Sequence, residues 1–100
     1  MVGTMTTNAQ QRDLNVMRAE IDSLDDALVR LLGRRMEVCR EIGEYKKEHK
    51  MGVVQADRFN AILEKRSKQG EEEGMDGDFI KRVFNEIHDE SCRQQEIISK

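Results

Sequence analysis

The sequence predicts an all-α fold of three helices per chain, one long and two shorter, assembled as a homodimer. Three observations carry this. Pro is absent, aromatic residues make up 4% and charged residues 37%, a composition that suits long amphipathic helices and supports a sheet poorly. Apolar residues from Leu14 to Tyr45 recur in alternating steps of three and four, the spacing of one helical face. The helix so defined, from around Arg12 to His49, is roughly 50 Å long at 1.5 Å per residue, whereas a compact globule of this size has a radius of gyration of about 13 Å. A second copy covers the excess, and a homodimer is the expectation.

The elements follow in order. Residues 1–11 are small and polar (Thr4, Thr6, Thr7, Asn8) and read as a flexible lead-in to a helical domain over 12–100. The first helix carries a seam of Leu14, Met17, Ile21, Leu24, Leu28, Leu31, Arg35, Val38, Ile42 and Tyr45, in which Arg35 is the one residue neither apolar nor aromatic. Lys50-Met51-Gly52 breaks this helix, with Gly52 supplying the backbone freedom for a turn. A second helix runs from about Gln55 to Lys68, with Phe59, Ile62 and Leu63 as its apolar stripe. Gly70 and Gly74 bracket an acidic run, Glu71 to Glu73, which reads as a solvated connector. Asp76 or Asp78 can cap a third helix from about Phe79 to Ile98. Its inward face steps through Ile80, Phe84, Ile87, Ser91, Gln95 (or Gln94) and Ile98.

Composition excludes several functions. A net charge of −3 and a pI near 5.4 oppose a non-specific nucleic-acid or membrane-surface role, both of which want a basic excess. No apolar run approaches the ~18 residues of a membrane span, and no secretory signal precedes the first helix, so the cytoplasm is the expected compartment. Cys39 and Cys92 are too few and too far apart for a metal knuckle or a disulfide framework, and read as buried small hydrophobes. His49 and His88 lack metal-ligand spacing and read as exposed helix residues; no metal is expected.

The informative residues are polar groups placed where core belongs. A guanidinium cannot shed its proton and is costly to bury alone, so either the seam opens at Arg35 or an anion sits there. Lys46 lies eleven residues on, at nearly the same azimuth and roughly 16 Å along the axis. Arg18 is about 25 Å from Arg35 and about 100° around the rod, so it reaches such a site only from a partner chain. The second helix offers Arg58, on the face shared with Gln55 and Ile62; the third offers Ser91 and Gln95, one turn apart. Cations and neutral donors gather without a nucleophile–base pair or a Gly-rich phosphate loop. Such a set suits an anion with more than one negative group, and arginine forks suit carboxylates in particular.

The ordered pattern Leu14-x-x-x-Arg18-x-x-Ile21-Asp22-x-Leu24-Asp25, Leu31-Leu32-x-Arg34-Arg35 and Ile42-Gly43-x-Tyr45-Lys46, continued by Arg58 and by Ser91-x-x-x-Gln95, resembles the all-helical (AroQ-type) chorismate mutases from about Leu14 to Gln95. The resemblance implies an intertwined homodimeric helical bundle with two active sites and no cofactor. It implies that Arg35 and the partner subunit's Arg18 hold the carboxylates of chorismate, that Lys46 and Gln95 donate to its ether oxygen, and that Arg58 and Ser91 line the carboxylate-binding end. Many members carry Asp where this chain has Gln55 and Glu where it has Phe59, acids associated with the substrate's ring hydroxyl. Gln55 can still accept a hydrogen bond; Phe59 cannot. The implied reaction is the Claisen rearrangement of chorismate to prephenate in phenylalanine and tyrosine biosynthesis. An isochorismate–pyruvate lyase of the same fold and a non-catalytic dimerisation or regulatory module are the alternatives.

Overall fold

The computed structural model describes residues 12–52 and 56–99. It contains three α-helices: α1, Leu14–Glu48; α2, Ala56–Glu72; and α3, Gly77–Ser99. Among the described residues there is no strand. The lead-in at residues 1–11 and the entry to the second helix at Val53, Val54 and Gln55 lie outside the described residues.

Local chemistry sets the helix ends. Asp13 caps α1, its Oδ1 accepting from the Val16 N–H at 2.8 Å and so satisfying one of the amides left open in a first turn. The far end closes in a Schellman arrangement: the Met51 N–H reaches the Lys46 carbonyl at 2.8 Å, and the Lys50 N–H reaches the Lys47 carbonyl at 3.3 Å. Lys50, at φ 55°, takes the left-handed position expected of Gly52. The two hydrogen bonds offset the modest cost of that conformation for a side-chain-bearing residue.

The acidic connector is shorter than its sequence suggests. Glu71 and Glu72 are the last residues of α2, and only Glu73 and Gly74 turn. Gly74 adopts φ 84°, and the Met75 N–H bonds back to the Gly70 carbonyl at 2.9 Å. A glycine inside a helix costs only about 1 kcal/mol, and Gly70 recovers it by letting Ile80 of α3 pack directly against its Cα. For α3 the cap is Asp76, whose Oδ1 accepts from the Asp78 N–H at 3.1 Å.

The chain divides into two compact units, at Arg34 and Arg35. In the first, α1 exposes its apolar seam: Leu24 is 61% and Leu31 68% accessible. Ion pairs of Arg12 with Glu20, and of Arg30 with Asp26 at 3.0 Å, run along this segment. In the second unit α2 and α3 form a hairpin. Gly70 meets the buried Ile80, Gly77 meets Ser67, and Lys81 pairs with Glu64 at 3.1 Å. The end of α1 packs against α3 at Gly43, where a Cβ would lie 3.1 Å from Gln95 Cα. Among the described residues the buried side chains are Cys39, Ile80, Ser67, Ser91 and Gln95, so polar groups share that interior with few apolar ones.

A second network ties α1 to α3. Arg40 donates to Gln94 Oε1 at 3.1 Å, Gln94 donates to Glu90 at 2.7 Å, and Arg93 grips both Glu90 oxygens at 2.6 and 2.8 Å. The hydrogen bonds from Arg93, then from Gln94, lower the Glu90 pKa from 4.5 to about 2.

Two predictions follow from this packing. Gly70→Ala places a Cβ into Ile80 and is expected to lose about 1–2 kcal/mol net of its gain in helix propensity, read as an earlier urea midpoint. The depressed Glu90 contributes stability above pH 4.5 that is lost as pH falls toward 2. Solvent screening keeps that contribution small. The stability gap between wild type and Glu90→Gln is therefore expected to be constant above pH 5 and to close below it, followed by helical circular dichroism in urea.

Candidate active site

One face of each helix in the second unit supplies a wall of a single cavity of about 120 Å³. From α1 come Arg35, Cys39, Ile42 and Lys46, spaced by four, three and four residues; from α3 come His88, Ser91, Cys92 and Gln95. Both spacings keep side chains on one helical stripe. From α2 come Arg58, Phe59 and Ile62.

Arg35 is half-buried, and its Nη1 donates to Ser91 Oγ at 2.6 Å and lies 3.8 Å from Cys39 Sγ. The buried Ser91 hydroxyl donates in turn to the Ile87 carbonyl at 2.7 Å. Its one hydrogen is used on the helix backbone and a lone pair on the guanidinium, so Ser91 orients Arg35 and has little left to offer a ligand. Among the described residues no carboxylate pairs with Arg35.

Lys46 Nζ donates to Gln95 Oε1 at 3.0 Å. An ammonium can only donate, so the amide oxygen must face it, and the amide N–H groups are the end available to another acceptor. The close approach at Gly43 brings the two helices near enough for this pair. Arg58, more exposed, adds a third cation to the lining.

The remaining wall is aromatic. Phe59 stacks on His88 with ring centroids 3.6 Å apart and planes 15° apart. Behind them Cys92 Sγ lies 3.5 Å from His88 Nε2. Burial, then the Glu96 carboxylate, raises the Cys92 pKa. This keeps it a thiol, so the Cys92–His88 pair lacks the activated sulfur of a nucleophilic site. Among the described residues no cluster of three His, Cys, Asp or Glu could hold a metal ion.

Of the residues singled out in the sequence, Arg35, Lys46, Arg58, Ser91 and Gln95 come together around this cavity. Arg18 is exposed on the first part of α1, and Gln55 lies outside the described residues. The reading of His88 as an exposed helix residue is corrected: it is half-buried in the cavity wall, because it precedes Ser91 by three residues and shares its face. His49 is exposed, stacked on Tyr45 at 3.9 Å. Cys39 is buried and Cys92 half-buried, and both border the cavity, which their spacing on α1 and α3 did not by itself disclose.

The lining carries three basic side chains and no acidic residue among those described, in a chain whose net charge is −3. Fold and cavity define the class: an all-helical domain with a donor-rich, cationic pocket of small-molecule size. The sequence profile described as chorismate mutase type II matches residues 17–96. A 4-amino-4-deoxychorismate mutase of Streptomyces venezuelae is 27% identical over 89% of this chain and 86% of its own length. Another, of Streptomyces pristinaespiralis, is 29% identical over 83% of this chain, which spans only 64% of that relative. An isochorismate pyruvate lyase of Pseudomonas aeruginosa is 31% identical over 71% of this chain and 69% of its own length. The chain belongs to the chorismate mutase type II family, a family of isomerases. No described helix is long and apolar enough to cross a membrane.

Proposed function

We propose that this chain converts chorismate to prephenate by pericyclic rearrangement, supplying phenylalanine and tyrosine biosynthesis in the cytoplasm, in a site that two copies complete. The observation that carries the proposal is the convergence of Arg35, Lys46, Gln95 and Arg58 on one cavity with no acidic residue among its described lining. The reaction is unimolecular: a C–O bond breaks as a C–C bond forms, with no proton transfer and no leaving group. A site of fixed donors without a nucleophile–base pair matches that requirement.

Each residue has a role in this reading. Arg35, aimed by Ser91, takes one carboxylate as a forked partner. Arg58 draws the dianion to the carboxylate-binding end, and the partner subunit's Arg18 closes it. Holding a flexible substrate with its reacting ends together accounts for much of the acceleration, since pre-organisation is worth up to about 7–11 kcal/mol. Lys46 and the Gln95 amide flank the ether oxygen, where negative charge grows in the transition state. A single pre-aimed donor of this kind is worth about 100- to 1,000-fold in rate. Gln55 is assigned the ring hydroxyl as a hydrogen-bond acceptor.

The dimer is part of the proposal. Leu14, Ile21, Leu24, Leu28 and Leu31 are each more than half exposed along one stripe of α1. A stripe of that length is unusual on a free surface and is the kind of face that a second copy covers. Similarity to an isochorismate pyruvate lyase favours one alternative, cleavage of isochorismate to release pyruvate from the same pocket.

Loss of chorismate, with prephenate as product, is the test. Pyruvate released from isochorismate, without mutase turnover, would establish the lyase instead. Arg35→Ala and Gln95→Ala are each expected to lower kcat/KM about 100-fold or more while leaving helicity unchanged. Mixing Arg18→Ala with Arg35→Ala chains is expected to restore one intact site per heterodimer, and failure of any activity to return removes the shared-site assignment.

A further inference from the structure

The cavity carries a titratable group that the proposed reaction leaves without a role. His88 lines it beside Arg35, Lys46 and Arg58, half-buried on α3. Its ring is stacked on Phe59 with centroids 3.6 Å apart, and its Nε2 lies 3.5 Å from Cys92 Sγ. Imidazole is the side chain whose charge ordinarily changes between pH 5 and 8. One proton there decides whether a fourth positive charge joins the three basic side chains of the lining.

We infer that His88 is a proton-dependent fourth cation of this cavity, so that anion binding and protonation of the imidazole strengthen each other. The inference rests on the reading of the cavity as the site of a dicarboxylate. The titratable groups that share the cavity with His88 are Arg35, Cys39 and Lys46 from α1, Arg58 from α2 and Cys92 from α3. None of these is a carboxylate. Burial keeps Cys92 a thiol, whose sulfur is only a weak acceptor for the Nε2–H of an imidazolium. Asp89 and Glu96, exposed on α3, act on Cys92 through their charge but stand outside the lining. The face of Phe59 attracts a cation without carrying a negative charge of its own. The carboxylates of the ligand therefore supply the counter-charge that the described lining lacks. Charges in a partly desolvated pocket interact more strongly than in bulk water. By linkage, the factor that the proton adds to the affinity for the anion is the factor that the anion adds to the affinity for the proton.

Calorimetric titration with chorismate tests this on the Gln95→Ala chain, whose turnover is expected to be slow enough for an equilibrium measurement. Affinity is expected to be about fivefold or more tighter at pH 5.5 than at pH 8, a range over which the substrate carboxylates stay ionised. Buffers of differing ionisation enthalpy are expected to reveal net proton uptake on binding between those limits. Adding His88→Gln is expected to leave affinity weak and independent of pH, whereas His88→Lys, which fixes a positive charge, is expected to leave it tight throughout. His49, the other histidine of the chain, lies outside the lining and is retained in both variants, so its effect is subtracted. In the wild-type chain the same gain is expected as a lower KM at pH 5.5, with kcat changed by less than about twofold. Affinity that does not vary with pH overturns the inference, and so does a pH dependence that survives His88→Gln; in either case the dicarboxylate site itself stands. Chorismate binding with the expected pH dependence but no turnover by wild type would overturn the mutase chemistry and sustain the role of His88. Absence of chorismate binding at every pH overturns both.

Discussion

A guanidinium held 2.6 Å from a serine hydroxyl, with no carboxylate beside it among the described residues, is the constraint around which the second unit is built. Arg35 occupies a seam position that nine neighbouring positions fill with apolar or aromatic side chains. Leaving it half-buried costs free energy that an apolar residue would not. Ser91 offsets part of that cost and, by donating its own proton to the Ile87 carbonyl, is locked in place on α3. The cation is thereby aimed without being neutralised. Lys46 also donates to Gln95, whose oxygen takes the ammonium and whose nitrogen is left for another acceptor. Pairing the Arg35 guanidinium with uncharged groups keeps its field available for an anion from outside.

The same choice explains how thin the interior is. Among the described residues, Cys39 and Ile80 are the buried hydrophobic side chains, set among Ser67, Ser91 and Gln95. A core so small and so polar gives a domain of this length little stability from burial. The apolar surface that would ordinarily supply it lies along α1, exposed from Leu14 to Leu31.

Sequence disclosed the cations and donors readily, because a charged or amide side chain at a position reserved for apolar ones contradicts its own periodicity. Arg35, Ser91 and Gln95 announce themselves this way, and Lys46 follows from its azimuth, eleven residues beyond Arg35. The aromatic wall did not. Phe59 on an apolar stripe looks like ordinary core, and His88 looks like any helix-surface histidine; only the packing of α2 on α3 stacks the two rings. Helix identities were legible from spacing, whereas ends were less so. Lys50 rather than Gly52 turns left-handed, since the hydrogen bonds to Lys46 and Lys47, not backbone freedom, decide the position. Glu71 and Glu72 stay helical because Gly70 is a packing residue against Ile80 and not a breaker.

What distinguishes this site from a merely basic surface is direction: three helices point their cations and donors at one small volume. A crystal structure of the chain with bound prephenate addresses that most directly. The account predicts one product carboxylate forked on the Arg35 guanidinium, with Lys46 Nζ and Gln95 Nε2 turned toward the oxygen released from the ether. Prephenate bound elsewhere, or bound with Arg35 still engaged only by Ser91 and Cys39, would contradict it.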